Sequence, residues 1–495
     1  MNSKLVLTCV TVFVAGALLL AGSASAQTSG IFKVSDAIEA GPSGVPSAGI
    51  SAARCGTNIV VGFGDADSGV NSFDGYAVSS DNGKTFRDFG VLPVSTKDAL
   101  GFGPDLLGSG SPVVDPAGSF NPSVACADSS HFHYASIFQS DSIPCHGFPI
   151  CSAISVSNSS DGGKSWNLPI VVDSGSQDTH KLLSPSIAVD PSNPQRVYIA
   201  YLFWNRFGPF DQSFPDCANA SLLNGIMAIK VANSVDGGAT WKQTLVEDSC
   251  ADQMFGEPQL AEPTIAVSAT GQVYVAYEFL PSQSLPGPIL PNEIHFARST
   301  DHGLTFSAPL KVSSLAGQNA LPQLAVDRTH SPHRGEIYLT WSGQPAGTYT
   351  DVLFSDSLNA GLSFSFPRPV SPAPSAGSGR FQANPVVAVD NDGQVSACYY
   401  NTPSNKPISS STYSYNCATS FNHAATWHTR RVISSAPVGY DALTTDFLTH
   451  HDGFFTAFEV QANGQRHVVG QKSDIDFEAQ ANEQRHEVDQ KSDID

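Results

Sequence analysis

Apolar residues along this chain fall in short runs rather than long amphipathic stretches. Some alternate with polar residues, as Met227, Ile229 and Val231 do before a polar turn. Others are nearly continuous, such as Val197-Tyr198-Ile199-Ala200-Tyr201. Period-two alternation and short apolar runs bounded by Gly, Pro, Asn and Asp read as strands, and helical periodicity is nearly absent. The runs form a larger unit. A Pro-led strand (Pro185 to Asp190) precedes a second apolar strand (Val197 to Tyr201), then a long loop, then a hairpin. The same order appears at Pro122 to Phe138, Pro263 to Phe279, Pro322 to Trp341 and Pro385 to Tyr400, with a more divergent copy from Ile50 to Phe63. Each unit predicts a small four-stranded antiparallel sheet, so the chain is read as all-β.

The hairpin turn is the best-preserved part. Ser159 to Trp166 (SSDGGKSW) recurs as Ser79 to Phe86, Ser234 to Trp241 and Ser299 to Phe306, with worn copies at Ser357 to Phe364 and Ser420 to Trp427. The Asp and Ser side chains can bond amides within the turn, Gly supplies a positive φ, and the aromatic opens the next strand and packs beneath. This pattern resembles the Asp-box (BNR) repeat of sialidase-like β-propellers, over nearly the whole mature chain. The resemblance implies a propeller in which Asp81, Asp161, Asp236, Asp301, Asn359 and Asn422 are structural.

A seventh unit is incomplete. Phe447 to Thr449 and Phe454 to Val460 match first and second strands, and Gln465 to Gln471 a third, but no turn follows. Ile31 to Ser35 resembles the fourth strand Leu310 to Ser313, so the N-terminal strand is expected to complete the last blade and close the ring. Seven blades are therefore expected, with the six of typical sialidases as the alternative. The segment 477–495 repeats 458–476 with Val460, Val468 and Gly470 replaced by Ala479, Glu487 and Asp489. Those changes remove the alternation a strand needs, and a disordered acidic tail is expected. Residues 1–26 read as a secretory signal: Lys4, an apolar run from Leu5 to Leu20, and Ala24-Ser25-Ala26 before Gln27. The propeller is thus assigned to 27–476, in a secreted, periplasmic or cell-envelope protein without a further membrane span.

Cysteine usage agrees with export. Of nine cysteines, removal of Cys9 with the signal leaves eight. Cys145–Cys151 and Cys217–Cys250 would staple loops, Cys398–Cys417 would join neighbouring strands, and Cys55–Cys126 remains by elimination. Charge narrows the partners. The formal net charge is −20, becoming −21 when Lys4 leaves, and beyond Arg430-Arg431 no basic cluster interrupts it. Nucleic acid is disfavoured for want of a basic face.

In a four-stranded blade the loops opposite the Asp-box turns are the place for function. Those of this chain are long and carry exposed-ring candidates (Trp204, Phe207, Phe210 and Phe214) suited to stacking on sugars or to packing the loop on itself. Sialidase chemistry, as the resemblance implies, needs three carboxylate-clamping arginines, a Tyr nucleophile paired with Glu, and an Asp acid/base. Bidentate arginines fix an anionic substrate, and a tyrosine avoids the repulsion a carboxylate nucleophile would meet. The family's first arginine motif is missing, since 41–50 (GPSGVPSAGI) holds no arginine. Arg206 and Arg380 remain as clamp candidates, while Arg54, Arg328 and Arg334 fall on the Asp-box side. Asp65 and Asp67, expected in the loop after the first blade's second strand, are acid/base candidates, and Tyr440 the nucleophile candidate. Asp-x-Asp-x-Gly also suits a structural calcium; no other metal site or cofactor is expected. Glu262 is the only carboxylate among the rim positions that also include Asn121, Ser184, Leu321, Asn384 and Thr444, and so the best single candidate. Three functions are weighed: glycan or glycoprotein recognition, exo-acting hydrolysis of sialidase type, and protein scaffolding. Whether the chain is an enzyme is left open.

Overall fold

The computed structural model describes residues 31–474, apart from 39–49, 68–70, 94–121, 141–150, 177–179, 206–225, 250–258, 282–289, 314–318, 344–349, 371–380, 403–411, 438–444, 451–452 and 463–464. The signal segment 1–26, the tail 477–495 and the loop aromatics Phe207, Phe210 and Phe214 lie outside the described residues. Within them every regular element is a strand.

The strands form seven four-stranded antiparallel sheets. Six are each built from one continuous stretch: 50–91, 123–176, 180–248, 259–313, 319–369 and 381–437. These are the six that carry the Ser-x-Asp or Ser-x-Asn turn. The seventh is shared by the chain ends: Thr445–His450, Gly453–Ala462 and Gln465–Asp474 are joined at the outer edge by Ile31–Ile38. Its register pairs Ile31 with Gln471 and Ile38 with Arg466.

The first strand of each sheet lies innermost against that of the next, and Thr445–His450 contacts both Phe381–Val389 and Ile50–Cys55, which closes the ring. Apolar clusters fill each seam between successive sheets from the first to the sixth. Fully buried second-strand rings anchor them, among them Tyr201, Tyr277, Trp341 and Tyr399 at one register position. Withdrawing each such side chain from water is worth roughly 2–3 kcal/mol. Serines pin the inner strands together: Ser51, Ser123 and Ser186 Oγ accept the amides of Val124, Ile187 and Ile265 in the next sheet.

The recurrent turns join third to fourth strands on one face. In the second, Asp161 Oδ1 accepts the Lys164 and Ser165 amides at 3.0 and 2.9 Å, and Oδ2 accepts Ser165 Oγ at 2.6 Å. Ser159 Oγ donates to Asp161 and accepts the Gly163 amide. Where asparagine replaces aspartate, its amide becomes the donor, from Asn359 Nδ2 to Ser363 Oγ and from Asn422 Nδ2 to Thr426 Oγ1. The second to sixth turns also pack onto the preceding sheet. Trp166 meets Tyr76 edge-on at 5.8 Å, and Trp427 meets Phe354 at 5.1 Å. A Cβ on Gly163 (φ 85°) would come within 2.3 Å of Val60.

Two disulfides are present among the described residues. Cys55–Cys126 bridges the first and second sheets, and Cys398–Cys417 spans paired strands of the sixth. The other two expected pairs involve Cys145, Cys217 and Cys250, outside the described residues.

Three expectations about strand limits need correction. The Pro-led strands begin before the proline, as in His180–Val189 and Gln259–Val267, because a bulge lets the chain pass through Pro without losing the ladder. Asp65 and Asp67 lie within the strand Asn58–Asp67, since its ladder continues to the pairs Asp65 with Phe73 and Asp67 with Asn71. Trp204 belongs to the strand Val197–Asn205, paired with Lys181 and Met227; the apolar Leu202-Phe203-Trp204 run continues the ladder.

Candidate functional site at the inner edge of the ring

The strand registers fix which residues share the face opposite the turns. In the fourth sheet Val273 pairs with Ser299 at the turn end, so Glu278 to Leu280 lie at the opposite end, with Gln259 to Glu262 beside them. At this end four inner strands break register at one equivalent place. Ser184, Glu262, Leu321 and Asn384 occupy the bulges, with φ of 51°, 45°, 57° and 50°. Each precedes a proline, which disfavours helical ψ in the residue before it, and left-handed backbone at a non-glycine residue costs about 1–3 kcal/mol. The strain sits at the rim positions identified in the sequence; Asn121 and Thr444 lie outside the described residues.

Two carboxyl groups lie near these bulges, each bonded across a different seam. Glu262 accepts a hydrogen bond from Ser184 Oγ at 3.3 Å, across the seam between the third and fourth sheets. Glu278, on the second strand of the same sheet and 7% exposed, accepts the Leu321 amide of the fifth sheet at 2.5 Å. The protein encloses Glu262 while leaving part of it accessible, and this burial raises its pKa against the opposing effect of Ser184. For Glu278 burial is again the main cause; the Leu321 amide opposes it, the Glu262 charge adds to it, and the pKa rises to about 7. Desolvation and a like charge both favour the neutral acid. Such a pair can donate a proton or hydrogen bond from one member and accept with the other.

The fold does not require a carboxylate at Glu278. Its register equivalents opposite the residue before each bulge are Leu202, Ser342 and Tyr400. Ser342 Oγ accepts the Asn384 amide at 3.2 Å, so a neutral hydroxyl performs the same bridging task one sheet further on.

A second polar group lies in the same seam, nearer the outside. His295 is held between Glu247 and Glu293, both at 3.0 Å, and stacks on Phe279 at 4.4 Å. Burial lowers the His295 pKa, but the two carboxylates outweigh it and the net shift is upward. The preceding seam repeats this layout with Asp173, Tyr201, Lys230 and Phe203 at the corresponding register positions. Recurrence at two seams marks it as packing. On the turn face a cavity of 1040 Å³ follows the axis, lined by small residues such as Ala52, Ala188, Ala266 and Ala388 and, at its rim, by Arg328 and Asp390.

Of the residues singled out in the sequence, Glu262 stands at the site. Asp65 and Asp67 reach the same face at the end of their strand, but in the first sheet; Asp65 takes the register place that Phe279 holds in the fourth. Trp204 lies on that face in the third sheet, partly buried. Arg206, Arg380 and Tyr440 lie outside the described residues. The six turn acids and amides are engaged within their turns. Glu278 was missed because it lies inside the apolar run Val273 to Leu280; aligning second strands as the rim positions were aligned would have exposed it.

No family model and no curated protein matches the chain. Solved structures do resemble it. A protein of unknown function from Dyadobacter fermentans has TM-score 0.46 and 13% identity over 71% of this chain and 93% of that one. The Hadza microbial sialidase Hz136 has TM-score 0.44 and 13% identity over 81% and 74%. The GH93 α-L-arabinofuranosidase of Fusarium graminearum has TM-score 0.44 and 12% identity over 74% and 92%.

Proposed function

We propose that the chain is an exported propeller that holds a carbohydrate at the inner edge of the face opposite its turns, with Glu262 and Glu278 bonding sugar hydroxyls. The observation that carries this reading is the buried carboxyl of Glu278, at a register place where a neighbouring sheet manages with Ser342, beside Glu262 on strained backbone. Strain and raised pKa values concentrate where binding or chemistry demands them. The charge of the pair favours a neutral sugar over a sialic acid, whose carboxylate would meet two acids. The disulfides Cys55–Cys126 and Cys398–Cys417 suit an exported protein.

A second reading is hydrolysis of a glycosidic bond. It is supported by the Glu278 pKa of about 7, the range in which a carboxyl can serve as general acid beside an ionised partner. Asp65, Asp67, Tyr440, Arg206 and Arg380 would belong to a sialidase-type scheme, and Trp204 to a stacking surface. Glycan-array retention of the full chain tests the first reading, and turnover of fluorogenic sialosides and α-L-arabinofuranosides the second. Glu262→Gln should weaken retention by about tenfold or more, the worth of one hydrogen bond to a charged group, without lowering the unfolding midpoint. Retention unchanged in both Glu262→Gln and Glu278→Gln would reject the site, and turnover lost in both would establish the hydrolase.

A further inference from the structure

The turn face carries a separate group of ligating side chains at the seam between the fifth and sixth sheets. His333 and Glu336 lie in the loop that enters the strand Ile337–Gly343, and His423 lies in the sixth turn with φ 53°. Their donor atoms all lie within 4.8 Å of one another. The Glu336 side chain is only 12% exposed; it pairs with His333 Nδ1 and accepts the Tyr338 hydroxyl at 2.8 Å. The His333 and His423 rings stack with centroids 3.2 Å apart, and His423 Nδ1 is buried without a hydrogen-bond partner.

The propeller supplies its own comparison. At the seam between the third and fourth sheets, His302 takes the turn position of His423, and Arg196 precedes its second strand as Glu336 does. There the guanidinium occupies the seam. Arg196 Nη1 lies 3.1 Å from His302 Nδ1 and 3.6 Å from the buried carboxylate of Asp190. At the later seam Asp327, also fully buried, keeps the place of Asp190, but arginine has become Glu336 and a second imidazole has been added. Among the described residues no lysine or arginine pairs with Glu336. A place that holds a protein cation at one seam thus holds three ligands for a cation at the other.

From this substitution we infer that His333, Glu336 and His423 bind one divalent transition-metal ion of the zinc type, linking the fifth and sixth sheets. Two imidazoles and one carboxylate suit zinc, cobalt or nickel; calcium and magnesium take oxygen donors. Donors around one tetrahedral zinc stand about 3.4 Å apart, so the side chains close in slightly when the ion enters, and water takes the fourth position. The site is remote from Glu262 and does not rest on the carbohydrate reading. Motif searching passes over it because the ligands come from two sheets, 87 residues apart between Glu336 and His423 (423 minus 336).

The test uses the full chain after dialysis against EDTA, titrated with Zn²⁺ alone by calorimetry and with Co²⁺ alone by visible absorption. One equivalent of Zn²⁺ should bind with micromolar or tighter affinity, Co²⁺ should give the strong absorption of a tetrahedral site, and the melting temperature should rise by about 2 °C or more at saturation. His423→Asn, which keeps a residue tolerant of left-handed backbone as Asn82 does in the first turn, and Glu336→Gln should each weaken binding by about tenfold or more. His131→Ala, at the exposed Asp128–His131 pair, should leave it unchanged. Absence of saturable Zn²⁺ binding, equal binding in the His423 and Glu336 variants, or preference for Ca²⁺ would overturn the assignment. If His423→Asn fails to fold, Glu336→Gln and His333→Ala decide it.

Discussion

Replacing Glu278 by glutamine should make the protein more stable, and only above acidic pH. Burial raises the Glu278 pKa from 4.5 to about 7 in the folded chain. The folded state therefore holds the proton more tightly than the unfolded state, and stability falls as pH rises between those two values. Each pH unit corresponds to 1.36 kcal/mol, so a rise from 4.5 to about 7 costs about 3 kcal/mol once the group is ionised. With 7% exposure, solvent screens little of this. Glutamine keeps an oxygen for the Leu321 amide and carries no charge. Urea unfolding followed by tryptophan fluorescence, at steps from about pH 4.5 to 8.5, should show parent and Glu278→Gln alike at the acid end. By about pH 8 the variant should lead by up to about 3 kcal/mol. A variant less stable than the parent at pH 8, or a gap that does not change with pH, would refute the account of this carboxyl. Retention on glycans should fall as stability rises, because the removed charge belongs to the site.

The turns should show the opposite pH dependence. Thr240's hydroxyl and amide do most to lower the Asp236 pKa to about 2, joined by Ser234 and Ala239 and opposed by burial. Its contribution is complete above the ordinary 3.8 and disappears as pH falls through 2; on this exposed loop it is worth about 1 kcal/mol. Asp236→Asn should cost about that much near neutrality and nothing near pH 2, while Asp236→Ala should cost about 2 kcal/mol because the turn amides lose their acceptor; thermal unfolding at neutral and acid pH distinguishes them. Gly163→Ala should cost about 3 kcal/mol or more, since its Cβ meets Val60 at 2.3 Å with φ at 85°, and a melting temperature within a degree of the parent's would contradict the close approach of turn and sheet.

The legible parts of the sequence are those whose causes are local. A turn such as Ser159 to Trp166 is specified by residues within eight positions, so its hydrogen bonds follow from the motif. The unpaired third strand near Gln465 signalled a missing partner, and Ile31–Ile38 supplies it. Rim positions such as Glu262 were found because the proline after each bulge marks the register. Glu278 was hidden because its consequence arises in another sheet, at the Leu321 amide, and no spacing within Val273 to Leu280 encodes that neighbour. Asp65 and Asp67 were expected in a loop, but the ladder runs on through both, paired with Phe73 and Asn71, partners that no local spacing encodes.

Repetition then turns an isolated residue into a comparison. A side chain in a non-repeating fold must be judged against general expectation, whereas here each position has counterparts under nearly the same packing. Where the counterparts agree, as Asp173 with Tyr201 and Glu247 beside Tyr277 do at successive seams, the ring itself accounts for them. Where one departs, the departure carries a cost that packing does not explain. Glu278 stands where Ser342 suffices, and Glu336 stands where Arg196 completes an ion pair. Both place a carboxylate, in a protein whose formal charge is −20, at positions enclosed by neighbouring sheets. Self-repulsion and desolvation oppose both changes. An occupant that interacts with the acid, a sugar hydroxyl at one seam and a metal ion at the other, would offset that cost.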